Sequence, residues 1–271
     1  MSTTIDNTFI TQWTAEVHHN FQQLNSNLRG AVRTVNNVVG EAYKFPVIGT
    51  GSATKNKARH ADLQPMDVSH SIKTATLSNW HGVEWIDDLD QFKTNADYRR
   101  EYLTTVTGAI NRGLEEEIVT AMATTTNSAT AGAMDTDLVA ELHKELTKNK
   151  VPMGDRYLII HYGALEDMLN DAKIASNDYL SKEAFTTGFV KGVMGFNVIL
   201  MEDADLLPVD TASKHTCFAF HKSALGLAIG KDISLRVDYR SDKDLWQVMG
   251  KLSAGAVAVD PAGIISVEVD D

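Results

Sequence analysis

The sequence predicts an α+β chain whose parts reach further than one compact domain requires. Three observations carry this. A long polar stretch with a basic centre separates two strand-like segments. A helix of about 30 residues follows, on the order of 45 Å at ~1.5 Å per residue. Beyond it the chain mixes short helices and strands, and from Thr216 onward strands dominate.

The first segment is amphipathic. Phe9, Trp13, Val17, Phe21, Leu24 and Leu28 fall three or four residues apart, which predicts one helical stripe ending near Gly30. It serves either as cover for the domain's own core or as an arm that docks on a neighbouring subunit. Tyr43, Phe45 and Val47 then alternate in the manner of a strand. The stretch from Gly49 to Pro65 has no helical period and carries Lys55, Lys57 and Arg59. Strand character resumes from Thr74 to Trp85, so the whole reads as a projecting hairpin. Connections much longer than about four to six residues tend to be functional. The basic tip lacks interleaved aromatics, which argues against sequence-specific nucleic-acid readout. Two readings of it stay open, a solvated loop and a contact with acidic surfaces on other copies.

The long helix is predicted from Asn95, a candidate N-cap, to Thr124. Its stripe is Tyr98, Tyr102, Val106, Ile110, Leu114, Ile118 and Met122. Gly108 and Gly113 each cost about 1 kcal/mol against alanine in a helix interior, so packing must compensate or the helix bends. Glu115, Glu116 and Glu117 lie mid-helix and are expected on a solvated or inter-subunit face. Residues 124–133 read as a soft linker. The next elements are a helix capped by Asp135 or Thr136, a turn over 150–155, a buried strand from Arg156 to His161 and a helix from Gly163 to Asn170. Strands follow at Asn197 to Met201, Thr216 to Phe220, Ser234 to Tyr239, Leu245 to Val259 and Ile264 to Val269.

Composition narrows the function. The 271 residues are 43% hydrophobic, enough for a sizeable core, and carry a formal net charge of −11. A chain this acidic is repelled on average by nucleic acid. One cysteine, Cys217, excludes an intrachain disulfide framework. The opening residues lack a signal-peptide pattern, and no apolar run reaches the roughly 18 residues of a membrane span. A soluble protein made in a cytoplasm is expected.

Motifs for chemistry are weak. Gly49 and Gly51 lack the third glycine of a dinucleotide fingerprint, and 188–195 lacks the Gly-Lys-Ser/Thr of a phosphate loop. His215, Cys217 and His221 share one face of a regular strand and are metal-ligand types. Yet His215 and His221 would stand about 20 Å apart at ~3.3 Å per residue. Asp203 and Asp205 are candidate cation ligands, with turn roles favoured. His18 and His19 read as polar-face residues. No catalytic residue, cofactor or metal is expected.

The order of arm, basic hairpin, long helix, compact α/β unit and terminal strands resembles the major capsid proteins of tailed bacteriophages, the Hong Kong 97-type coat fold. Gly192 to Val198 followed by Ile199 to Glu202 is similar to that family's glycine-aromatic strand entry. Phe218 to Ala224 resembles the strand and turn after it, and Gly250 to Val269 the last strands. The resemblance implies an N-terminal arm over 1–44, an extended E-loop with flanking strands over 45–90 and a spine helix with peripheral domain over 91–134. The main part of an apical domain would span 135–215, with late strands of both domains over 216–271.

It further implies hexamers and pentamers tiling an icosahedral shell around non-specifically held double-stranded DNA, in a virion assembled in the host cytoplasm. A portal is an expected partner and a decoration protein a candidate one; the lack of a long charged, helical N-terminal extension points to a separate scaffolding protein or to a shell matured without a large cut. Inter-subunit contacts are expected at Trp13, Phe21, Lys55, Lys57, Arg59, Glu115, Glu116 and Glu117. Lys55 and Lys57 are lysines of the kind that cross-link in the family's type member, although non-covalent locking is favoured. Two alternatives are an encapsulin-like compartment and a metal-dependent enzyme using Asp203, Asp205 and nearby histidines.

Overall fold

The computed structural model describes residues 23–53, 55, 65–88, 98–129, 132–171, 192–209 and 214–269. The predicted N-terminal stripe up to Phe21, the Asn95 cap, Lys57 and Arg59 lie outside them.

Eleven strands and three α-helices follow one another among the described residues. Strands β1 (Arg33–Asn36), β2 (Ala42–Ile48), β3 (His70–Thr76) and β4 (Ser78–Asp87) precede helix α1 (Tyr98–Ala123) and helix α2 (Thr136–Lys148). Then come β5 (Arg156–Ile160), α3 (Tyr162–Asn170), β6 (Gly192–Val193), β7 (Phe196–Leu200), β8 (His215–His221), β9 (Leu225–Arg240), β10 (Leu245–Ala258) and β11 (Ile264–Val269). They make a four-stranded sheet ordered β1-β9-β10-β4, a five-stranded sheet ordered β11-β8-β5-β7-β6, and the two-stranded hairpin β2-β3.

Helix α1 lies on one face of the four-stranded sheet. Its predicted stripe is the buried one: Val106, Ile110, Leu114, Ile118 and Met122 sit in the core with Leu227, Ile229, Val248, Leu252 and Ala254. Close approach is what the glycines supply. Gly82 and Gly250 are opposite each other in the β4-β10 register. A Cβ on Gly250 would stand 2.3 Å from Ile110 and one on Gly82 would stand 3.1 Å from Val106. On the helix side, a Cβ on Gly113 would meet the Trp80 indole at 2.6 Å. The expected cost of Gly113 is therefore offset by ring packing, and Trp80 Nε1 donates to Glu117 Oε1 at 3.2 Å.

The five-stranded sheet is covered on one face by α2 and α3. Leu158, Ile160, Cys217, Ala219, Val267 and Val269 meet Val139, Leu142, Leu146, Ala164 and Met168 there. Its other face sends Ile159, Phe218, Phe220 and Ile264 into the α1 core, so the two sheets share one interior. Asp135 caps α2 by accepting from the Leu138 amide, as the sequence implied.

The chain tightens this junction with a buried arginine. Arg156 is fully buried, and among the described residues no carboxylate pairs with it. Its guanidinium donates to the carbonyls of Pro152 at 2.8 Å and Val151 at 2.7 Å, and to Thr147 Oγ1 at 3.3 Å. Burial pushes its pKa down from the usual value. The group ties the end of α2 and the following turn to β5. Arg156→Met is expected to strand these acceptors and cost about 2 kcal/mol in chemical denaturation; a loss below about 0.5 kcal/mol contradicts this role.

Three expectations need correction. Gln23 to Leu28 are not helical; a 3-10 turn spans Arg29–Ala31. The reason is that α1 side chains take up carbonyls of this segment that a helix would use for itself. Asn111 Nδ2 donates to the Leu24 carbonyl at 2.7 Å and Arg112 Nη1 to the Gln23 carbonyl at 3.2 Å. The stretch after α1 is not a soft linker where it is described. Ser128 and Gly132 bridge in parallel to Ser266 and Val269 of β11, and Asn127 Nδ2 donates to the Pro261 carbonyl at 2.7 Å. Strand β9 begins at Leu225, well before the predicted Ser234.

Candidate assembly surfaces

The hairpin is built with one wet and one dry face. Tyr43, Phe45 and Val47 alternate inward and Phe45 is almost fully buried, as predicted. Phe45 and Ala75 pack with Ala228 and Val259 on the face of the four-stranded sheet opposite α1. Small residues make this platform. A Cβ on Gly226 would stand 2.7 Å from the Phe45 ring, and one on Gly255 would stand 1.9 Å from the Thr76 carbonyl oxygen.

The outer face carries Ile48 and Ile72, 68% and 61% exposed. They sit at alternate pairs of the register and so share a face, Pro46 opposite Ile72 and Ile48 opposite His70, with Val47 opposite Ser71 between. Gly49 continues the pairing by donating to the Ser69 carbonyl at 2.8 Å, and Lys55 is exposed. Residues 42–76 hold five lysines and arginines against two aspartates in a chain whose net charge is −11. Residues 42–76 are thus a basic segment of an acidic chain, with exposed apolar side chains on the outer face of the hairpin strands.

A second exposed apolar area lies on the far half of the four-stranded sheet. Val83 and Trp85 are 42% and 52% exposed. Lys243 Nζ stands 4.3 Å above the Trp85 ring, and the ion pairs Arg236–Asp238 and Arg240–Asp242 lie on β9 and the turn after it.

The glutamate run divides. Glu116 is exposed and Glu117 holds Trp80. Glu115 is fully buried, which corrects its placement on a solvated or inter-subunit face. Its carboxylate accepts from Gln23 Nε2 and from the Asn27 and Leu28 amides. Burial pushes its pKa up from the usual carboxylate range, outweighing the hydrogen bonds that pull it down.

The metal candidates do not converge. His221 ends β8 and accepts from the Ser223 amide at 3.2 Å. His215 and Cys217 are buried, but their neighbour is His161, whose Nδ1 lies 3.4 Å from Cys217 Sγ. Burial pushes the Cys217 thiol up to about 12, which leaves it protonated and unreactive. Asp203 opens a 3-10 turn and faces Arg112 at 3.8 Å, while Asp205 is exposed. Among the described residues no group of three or more His, Cys, Asp and Glu is placed to hold a metal ion. No helix among them is long and apolar enough to cross a membrane.

Comparison with known proteins agrees with this geometry. The family model described as phage capsid protein matches residues 5–271. No curated protein gives a significant match. The capsid structure of the cyanophage P-SCSP1u is similar, with a TM-score of 0.79 at 16% identity, covering 100% of this chain and 96% of that one. A chain of the acidic stable capsid of Helicobacter pylori bacteriophage KHP30 gives 0.75 at 11% identity, covering 98% and 97%. A chain of Mycobacterium phage Che8 gives 0.70 at 16% identity, covering 97% and 98%. At these identities the structural likeness speaks for the fold.

Proposed function

This chain belongs to the phage capsid protein family, and we propose that it works through contacts between copies made by its hairpin, its N-terminal arm and its sheet faces. It is a major capsid protein of the Hong Kong 97-type fold, a structural component of the virion whose chief partner is itself. The observation that carries this is the family match over nearly the whole chain. The shell is icosahedral and built of hexamers and pentamers. It encloses double-stranded DNA held without sequence readout, and it is assembled in the host cytoplasm with a separate scaffolding protein and a portal; a decoration protein is a further candidate partner. An enclosing compartment for cargo enzymes would use the same fold, but the family match favours the phage. The chain has no catalytic role, cofactor or resident metal in this reading.

Each projecting element buries modest area on a neighbour, and closed symmetry multiplies the sum. Residues 47–72 act as the E-loop, with Lys55, Lys57 and Arg59 meeting acidic surfaces of adjacent copies without covalent linkage. Trp13 and Phe21 of the arm and Glu116 of the spine helix α1 are further contacts. The four-stranded sheet with α1 serves as the peripheral domain and the five-stranded sheet with α2 and α3 as the apical domain. The late strands divide between them, β9 and β10 to the first, β8 and β11 to the second. Deleting 49–64 is expected to leave a folded, soluble subunit that closes no shells. Normal particles from that deletion, seen by electron microscopy, would remove the E-loop from this account.

A further inference from the structure

Where the two sheets meet, a cleft of roughly 550 Å³ opens beside the start of β1 and the 3-10 turn Lys222–Ala224. β1 is the outermost strand of its sheet, so the cleft sits at an edge of that sheet. Arg33, Lys222, Thr34, Ser223 and His221 line it, with Arg29 at one side.

The basic side chains of the described residues fall into two groups. Arg29, Arg112, Arg236 and Arg240 each pair with a carboxylate of the same chain. Arg33 and Lys222 pair with none among the described residues. Arg33 stands 5.9 Å from the centre of the Phe45 ring, and Lys222 Nζ donates to the Gly30 carbonyl at 2.9 Å. Arg33, Lys222, Thr34 and Ser223 therefore share the lining of one concave space, with the Thr34 hydroxyl 3.5 Å from the Arg29 carbonyl and the Ser223 hydroxyl 2.8 Å from His221 Nδ1. The groups around it that carry or accept charge are Asp155 in the lining, His221, and Asp232, which is occupied by Arg29.

We propose that this cleft receives an acidic side chain from a second copy of the chain, with Arg33 and Lys222 binding its carboxylate. The inference rests on the assembly reading above. The chain itself can supply the ligand: 36 acidic residues stand against 25 basic ones, so carboxylates outnumber basic groups on an abutting copy. A DNA duplex fits less well. It carries a charge about every 1.7 Å of its axis, so docking it here would press further phosphates against Asp155 and Asp232. A single side chain enters between them. Such a pair at a partly wet edge weakens as salt screens it.

The test uses the full chain under conditions where the wild type forms shells. Arg33→Ala/Lys222→Ala is expected to lower shell yield about tenfold at low salt, with the gap to wild type narrowing as salt rises. Melting of unassembled subunits serves as the folding control. Independently, acetylation of the wild-type Lys222 amine, read by mass spectrometry, should fall several-fold between free subunits and shells; this arm decides the matter if the double variant does not fold. Wild-type yield from a folded double variant, or equal acetylation in subunits and shells, overturns the proposal. Normal empty shells that lose only their DNA would assign the cleft to phosphate instead, and also overturn it. A wild-type chain that never assembles would bring down the assembly reading itself.

Discussion

Gly255→Ala is expected to unseat the hairpin from its sheet and destabilise the subunit by about 3 kcal/mol, the upper part of the range for overpacking a filled interior. The new methyl would stand 1.9 Å from the Thr76 carbonyl oxygen and 2.7 Å from its carbon. Both are backbone atoms, so no rotamer change relieves the clash. The end of β3 must move away from β10, and it takes with it the contact between Phe45 and the Gly226–Ala228 platform. In a chain of this size the loss corresponds to roughly 6–12 °C in Tm. Limited proteolysis should open residues 42–76 first. Gly154→Ala is the control, since a Cβ there meets nothing within 4 Å. If both variants melted alike, the platform would not be what positions the hairpin.

The second large effect belongs to Glu115→Ala. The substitution leaves the Gln23 side-chain amide and the Asn27 and Leu28 amides without their acceptor. Buried donors stranded in this way cost about 1–3 kcal/mol each when water cannot reach them. A total near 3 kcal/mol is expected, because the segment can peel away and rehydrate. Residues 23–28 should then exchange their amide hydrogens faster while α1 keeps its protection.

Glu115 also gives the clasp a pH dependence whose sign follows from its raised pKa. The native state holds the proton more tightly than the unfolded chain does. The stabilisation linked to this group is therefore fully present below the unfolded carboxylate range and is lost as pH rises through the raised native value. Relative to Glu115→Gln, the wild type should gain stability as pH is lowered from neutral. Parallel stability profiles for the two proteins would contradict the assignment.

Much of the frame was legible because periodicity reports burial directly. The α1 stripe repeats every four residues over five buried positions, and Tyr43, Phe45 and Val47 alternate in phase with the hairpin's dry face. The apolar run through Arg156–Ile160 and the closing strand Ile264–Val269 were equally plain. What escaped has a common cause, in that its meaning lay in a partner far along the chain. The early half of β9 holds Gly226 and Gly230, which read locally as breakers. In the fold they make room for Phe45 and Leu77.

Glu115 was hidden in an acidic run, although a signal was present. Gly108, Asn111 and Glu115 fall three and four apart beside the apolar stripe, which marks a polar seam on the same helix. His161 was read only as the end of a strand, and its approach to Cys217 is set by the pairing of β5 with β8. The charge contrast between the 42–76 segment and the rest of the chain was legible in the sequence, whereas the groups it is proposed to meet belong to other copies and leave no pattern beside it.

The central claim is that this chain functions by closing into a shell with its own copies. Electron microscopy of the protein, expressed alone and together with the genes that flank its own, tests this most directly. Closed, hollow particles of uniform diameter, with hexameric and pentameric units in class averages, are the predicted result. A folded subunit that remains monomeric in both expressions, with no shells, rings or sheets on the grid, would contradict it.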